Sequence, residues 1–366
     1  MLIKISPPQE IDEANTEIHN QMQEFLKAVA GLSQPYLAGA LLAQVPAEFG
    51  VALTRVCNCS EVNTELDRVV PLAGTVRLHA QAAHDADGSF RTDAAAFQFY
   101  HHKHSITWDE PYKHLFKEVY NFFVSTGFLN RTAFQAKRPQ FRYDKTWFVK
   151  RFVEANPDLN ACPYCGGPLT LEERSKLDHY FPKAHFPTLA VNLWNLVPVC
   201  HDCNSTQSKG DRDPLCATKK VGAIQNLCLP YGGIELAPHM CVDFDIRCRK
   251  KKLIYEVTIT AEPGAPKDLQ AQVLAFAELA NLKRTWKAHA TSLCMLAIAQ
   301  LKKTAKSGPL TLAEARAYAT KQVEEVDHPA SIGGTFLHAQ FWKSLLRSDK
   351  RLQLFIDAAT PGAPQP

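Results

Sequence analysis

The 366-residue sequence predicts a mostly helical α+β protein with a small cysteine-framed module at its centre and helical regions on both sides. Three observations predict it. Apolar residues recur at helical spacing through both outer thirds of the chain. A short strand–loop–strand pattern, "KLDHYF" to "NLVPVC", lies between two C-x2-C pairs, and one alternating stretch at 241–260 reads as a hairpin.

The first element is 9–30, where Ile11, Ile18, Met22, Phe25 and Leu26 suit one helix face. The apolar stretch 35–53 is expected to be helical, with breaks at Pro46 and Gly50. Residues 66–107 are poorly patterned. Within them "TVRLHAQA" alternates as a strand does, and "DADGS" at 85–89 reads as a turn. Helical periodicity returns over 109–130, with Asp109 as cap and Pro111 in the first turn.

The stretch 131–151 holds seven Lys/Arg against one Asp, interleaved with Phe134, Phe141, Tyr143, Trp147 and Phe148. Two readings stand. It is a solvated segment whose aromatics pack inward, or a phosphate-contacting surface with stacking rings, carried by Arg138 and Arg142 among others. After the cysteine module, the hairpin at 241–260 carries five basic residues out of six from Arg247 to Lys252. Lys250 and Lys251 at its tip are a solvated turn or a contact to a nucleic-acid backbone. Helices are expected over 267–303, 311–326 and 339–359, followed by a frayed tail. The regions so drawn are 1–105 (regulatory or partner-binding), 106–160 (basic lead-in), 161–216 (the module), 217–262 (connector and hairpin) and 263–366 (C-terminal helices).

Apolar residues make up 46% of the chain and charged residues 21%, which excludes overall disorder. A net charge of +4 permits nucleic-acid binding without arguing for it. No apolar run reaches the roughly 20 residues a membrane helix needs, so no membrane association is expected. The N-terminus turns polar and acidic too early for a secretory signal, and the 11 cysteines are an odd number. A reducing cytoplasm with thiolate metal ligands fits better than a disulfide framework.

Cys162, Cys165, Cys200 and Cys203 form C-x2-C-x34-C-x2-C. Each two-residue gap lets a tight turn aim both thiolates at one ion, and two such turns complete a tetrahedral zinc shell. Gly166 and Gly167 suit the knuckle turn. A closed four-thiolate site leaves zinc no open position, so this Zn²⁺ is structural. Cys216, Cys228, Cys241, Cys248 and Cys294 are irregularly spaced and read as small buried hydrophobes. "CNC" at 57–59 with "HHKH" at 101–104 matches no closed metal motif.

Between the pairs the chain carries Asp178-His179, Asn195 and Asn204 in order, and "CNSTQSKGD" is expected to open a helix. With the cysteine frame, these residues resemble the HNH endonuclease family over about 161–215. The resemblance implies a ββα-metal module, with Asp178 and Asn204 holding a catalytic Mg²⁺ or Mn²⁺. It also implies that His179 is the general base and that Asn195 takes a catalytic role in holding the loop, with Asn192 as its competitor. The chemistry agrees: imidazole takes a proton from water near neutral pH, and hard oxygen ligands suit those ions. Taken singly, each residue has an ordinary structural explanation; the case rests on the combination. Lys183 and Lys209 are expected to touch phosphates, while His185 and His201 have no assigned role.

The run from Asp178 to Gly210 also resembles bacterial HNH proteins of anti-phage defence systems that act with an ATPase partner. No phosphate-binding glycine loop appears, so nucleotide chemistry would come from another chain. The expected function is a cytoplasmic DNA endonuclease of low sequence specificity. Its helical flanks bind a partner, a second copy of the chain, or the nuclease itself in restraint. Two alternatives remain: a non-catalytic zinc-ribbon module binding nucleic acid or protein, and a site-specific nuclease of restriction or homing type.

Overall fold

The computed structural model describes residues 1–34, 36, 39–47, 53–54, 56–72, 74–93, 97, 110–126, 145–170, 172, 176–205, 209–214, 227–231, 234–249, 252–305, 308–326 and 335–360. The N-terminal half is helical. Helix α1 (Ile11–Gly31) buries Ile11, Ile18, Met22, Phe25 and Leu26, the stripe its spacing predicts, with Asp12 and Glu13 at its positive end. Helix α2 is short (Ala40–Gln44) and stops before Pro46, whose ring and missing N–H end a helix. Helices α3 (Ser60–Val69) and α4 (Gly74–Gly88) follow.

Helix α4 corrects the expected strand at 75–82. Its buried residues Ala80, Ala83, His84 and Asp87 recur at three- and four-residue steps, and this face packs on α1. The alternation of "TVRLHAQA" is local, and the face offered to α1 decides the outcome. The turn expected at 85–89 arrives at its end, with Ser89 N–H bonding Ala86 O as the helix closes. Helix α5 (Glu110–Thr126) carries Pro111 in its first turn as expected. The cap residue Asp109 lies outside the described residues, as do Arg138, Arg142, Phe134, Phe141 and Tyr143. Helix α6 (Lys145–Ala155) buries Trp147, Phe148 and Phe152, so the aromatics described in this stretch pack inward.

At the centre, β1 (Leu177–His179) pairs antiparallel with β2 (Leu196–Pro198), setting Asp178 opposite Val197 and His179 opposite Leu196. All six residues are buried. The helix expected to open at "CNSTQSKGD" is not formed where it is described: residues 201–205 are turns, and 206–208 lie outside the described residues. The central module is therefore a two-stranded unit joined to a cysteine cluster.

The hairpin of β3 (Met240–Arg249) and β4 (Lys252–Ala261) pairs Arg249 with Lys252. Lys250 and Lys251 lie outside the described residues. Its buried face, Val242, Phe244, Ile246 and Val257, packs on the C-terminal helices. These are α7 (Lys267–Leu279), α8 (Leu282–Thr304), α9 (Leu312–Val326), α10 (Thr335–Leu346) and α11 (Asp349–Ala359). The expected single helix at 267–303 breaks at Asn281, whose φ of 49° is left-handed. The stretch 339–359 breaks at Ser348, which caps α11 through the Arg351 N–H. One hydrophobic core takes in residues from all five expected regions, among them Phe25, Phe116, Cys165, Met240 and Trp286.

Candidate active site

The four cysteines come together. Their sulfurs lie within 4.8 Å of one another, and Cys165 and Cys200 are 3.8 Å apart. A tetrahedron built on Zn–S bonds of about 2.3 Å has edges of about 3.8 Å, so the cluster fits the ion. Gly166, at φ 70°, supplies the left-handed turn that brings Gly167 N–H to within 3.3 Å of the Cys165 sulfur. Cys200 N–H reaches the Cys162 sulfur at 3.4 Å. Hydrogen bonding, from Cys162 first, pushes Cys200 towards thiolate and holds Cys165 and Cys203 up as thiols. A dication would allow all four to ionise. Among the described residues no other group of three His, Cys, Asp or Glu converges; "HHKH" lies outside them.

The knuckle is also a structural hub. Leu2 N–H bonds Pro163 O, Trp286 Nε1 bonds Cys165 O at 2.9 Å, and Tyr164 packs edge-on against Phe276. The N-terminal segment and helices α7 and α8 therefore all rest on it.

Asp178 and His179 sit on β1 behind the knuckle. The Tyr164 hydroxyl donates to Asp178 Oδ2 at 2.8 Å, and the Lys209 ammonium lies 3.1 Å from the same oxygen. Lys209 also donates to His179 O at 2.5 Å. Asp178 and Lys209 are both buried. Burial raises the Asp178 pKa, outweighing Lys209 and Tyr164, which favour the charged form. Lys209, expected to touch phosphates, is sequestered here as the counter-ion of Asp178.

His179 is buried, and its Nε2 lies 3.0 Å from Ala190 O. A carbonyl only accepts, so Nε2 carries the proton and Nδ1 keeps a lone pair. Burial first, then the Lys183 charge, lowers the His179 pKa to about 3, so the ring rests neutral. It meets the Tyr120 ring of α5 at 67°, with centroids 4.6 Å apart.

Asn195 is fully buried and spends its amide on the loop that carries Ala190. It accepts from Phe181 N–H at 2.7 Å and donates to Phe181 O at 3.0 Å and Leu189 O at 3.1 Å. All three bonds go to this loop, so the side chain holds the loop in place. Asn192 instead accepts from Trp194 N–H and caps the short turn Leu193–Asn195. Phe181 and Phe186 pack with Phe90 and Phe97, so the aromatic run after His179 anchors the loop to the N-terminal helices.

The structure brings Asp178, His179, Asn195 and Lys209 together; Asn204 is exposed on the turn after Cys203. A carboxylate offers about four lone-pair sites. Tyr164, Lys209 and the His179 amide engage three, which leaves Asp178 one for an ion. By donor chemistry alone, a carboxylate and an amide oxygen, with waters and a substrate phosphate, suit a Mg²⁺-type ion. His185 and His201 are exposed. Sequence reasoning missed Tyr164 and Tyr120. The first lies inside the knuckle motif, where a buried tyrosine needs an acceptor; nothing in the sequence marks the second.

The HNH endonuclease family model matches residues 162–210, which contain the four cysteines, Asp178, His179, Asn195 and Asn204. Protein ea31 of Escherichia phage lambda is 31% identical over 104 residues, 28% of this chain and 28% of that protein. The match thus spans under a third of the length of either protein. No solved structure matches the chain.

Proposed function

We propose that the chain is a metal-dependent endonuclease hydrolysing phosphodiester bonds of DNA, with His179 as general base. The observation that carries this reading is the hydrogen bond from His179 Nε2 to Ala190 O, which leaves Nδ1 as a proton acceptor on a ring fixed in one tautomer. Water adds to phosphorus as its proton passes to Nδ1. The P–O bond to the leaving oxygen then breaks, and solvent protonates that oxygen. Asp178 and Asn204 would hold a Mg²⁺ or Mn²⁺ ion, which when bound neutralises charge on the phosphoryl and leaving oxygens. Asn195 keeps Leu189 and Phe181 in place, so the carbonyl that orients His179 stays fixed. Zn²⁺ in the cysteine frame is structural.

Low sequence specificity follows from the sequence, in which no recognition helix is identifiable. Action as the effector of a defence system, with an ATPase subunit, DNA and in a homo-oligomer, rests on the resemblance of 178–210 alone, and a cytoplasmic location on cysteine chemistry. No helix is long and apolar enough to cross a membrane among the described residues. One observation favours the non-catalytic binding module: Lys209 already neutralises Asp178. Plasmid nicking with Mg²⁺ or Mn²⁺ separates the readings. Cleavage abolished by His179→Ala supports the nuclease; DNA binding without cleavage, in the presence of any native partner, supports the module.

A further inference from the structure

Helix α5 lies some 50 residues before the Asp-His pair, outside the matched segment, yet its side chains reach the site. Its buried stripe Tyr112, Leu115, Phe116 and Val119 seats it in the core, and it packs on the turn Pro187–Leu189 that leads to Ala190. Tyr120 follows at the edge of that stripe. One ring serves two neighbours. The His179 imidazole meets it at 67° with centroids 4.6 Å apart, and the Lys183 ammonium sits 4.7 Å from its centroid. Both contacts use the ring and not the hydroxyl.

Building on the nuclease reading, we propose that Tyr120 is a positioning residue of the site. It walls the His179 ring into the orientation set by Ala190, and it holds Lys183 beside that ring as the contact for the substrate phosphate. The single bond at Nε2 fixes one end of the imidazole; a ring can still swing about that bond. The Tyr120 ring removes the swing. Lys183 is half-buried, and burial and then the charge of Lys117 lower its pKa, with Glu118 opposing. An ammonium held beside the His179 imidazole suits a phosphodiester anion. Without α5 the matched segment would present its base unbraced, which gives part of the helical N-terminal region a direct role in the chemistry.

The test uses the full chain with Tyr120→Leu, Tyr120→Phe and Lys183→Met, after zinc content and thermal midpoint show each folded. DNA affinity is measured separately in a His179→Ala background. Tyr120→Leu is expected to lower kcat on the order of 30-fold, because small misplacement of a base is costly. DNA affinity should meanwhile fall by less than in Lys183→Met, since the lysine keeps its charge and loses only the ring that holds it. Tyr120→Phe restores the ring and should rescue kcat to within about threefold of wild type, since neither contact uses the hydroxyl. Lys183→Met is expected to weaken DNA affinity and reduce the salt slope by about one. Wild-type kcat in a folded Tyr120→Leu protein overturns the proposal, as does a Tyr120→Phe protein no better than Tyr120→Leu.

Imidazole ¹⁵N spectra of histidine-labelled protein, with His179→Ala for assignment, give a readout independent of cleavage. Tyr120→Leu should move the His179 ring resonances while other histidines stay fixed; unmoved resonances overturn the proposal. An inert wild type whose His179 resonances respond to Tyr120→Leu defeats the nuclease reading while sustaining the contact.

Discussion

Replacing Lys209 by methionine tests whether Asp178 and Lys209 form a buried pair or an incidental contact. The ammonium lies 3.1 Å from Asp178 Oδ2 and 2.5 Å from His179 O, and its side chain is 1% exposed. Methionine fills nearly the same volume but removes the charge and both bonds. The carboxylate is then left buried with Tyr164 and the His179 amide as donors. Breaking a buried ion pair from one side costs about 3–5 kcal/mol, most of it the uncompensated charge left behind. Asp178→Asn alone leaves the mirror-image problem, a buried ammonium without its carboxylate. The double variant removes both charges, so its cost should fall short of the sum of the two single costs by about 1–3 kcal/mol, a coupling typical of groups in contact. Urea denaturation followed by tryptophan fluorescence, with zinc content checked, measures all four proteins. A cost below about 1 kcal/mol for Lys209→Met, in the range of exposed ion pairs, would refute the buried-pair argument and return Lys209 to the role of a surface cation.

Other predictions follow from the same contacts. Cys165→Ser should lose zinc and much of the near-ultraviolet circular dichroism, because Trp286, Leu2 and Phe276 rest on the knuckle; retained tertiary signal without zinc would count against the hub. Asn195→Ala strands Phe181 N–H and two carbonyls, and should cost about 2–4 kcal/mol in denaturation, by the penalty for buried groups left unpaired. It should also lower cleavage without changing DNA affinity. His84 is buried, stacked on His19 with centroids 4.2 Å apart, and burial lowers its pKa to about 3. The His19 pKa is itself lowered by burial, with Asp85 opposing. The unfolded chain therefore takes up a proton at His84 below about pH 6.5 that the fold refuses, so stability is full above that pH and falls towards pH 3, by up to about 1.4 kcal/mol per unit. His84→Leu should flatten the decline in denaturation midpoint between pH 7 and 5; an unchanged slope would contradict the assignment.

The cysteine frame was legible because ligand spacing is a local property: two tight turns dictate where four sulfurs point. The strand positions of Asp178 and His179 were legible too, as was the hairpin at 240–261, whose alternation spans ten residues a side. The helix at 74–88 was not, because eight alternating residues outweighed a face defined only by contact with α1. The break at Asn281 was hidden for a similar reason: apolar periodicity runs through it, and only the backbone turn reveals two helices. In the site, the ion pair of Lys209 with Asp178 was not legible. The burial of Lys209 depends on Asp178 and Tyr164, which lie 31 and 45 residues away. Tyr120 is distant in sequence and ordinary in type, so only the fold places it against His179.

The most direct test of the account is cleavage of supercoiled plasmid with Mg²⁺ or Mn²⁺ by wild type and His179→Ala, with zinc measured on both. Wild type is expected to nick or linearise the plasmid and the variant to lose that activity, with about one zinc per chain in each, as a closed four-thiolate site requires. Cleavage that survives His179→Ala, with zinc intact, would contradict the assignment of His179 as the base.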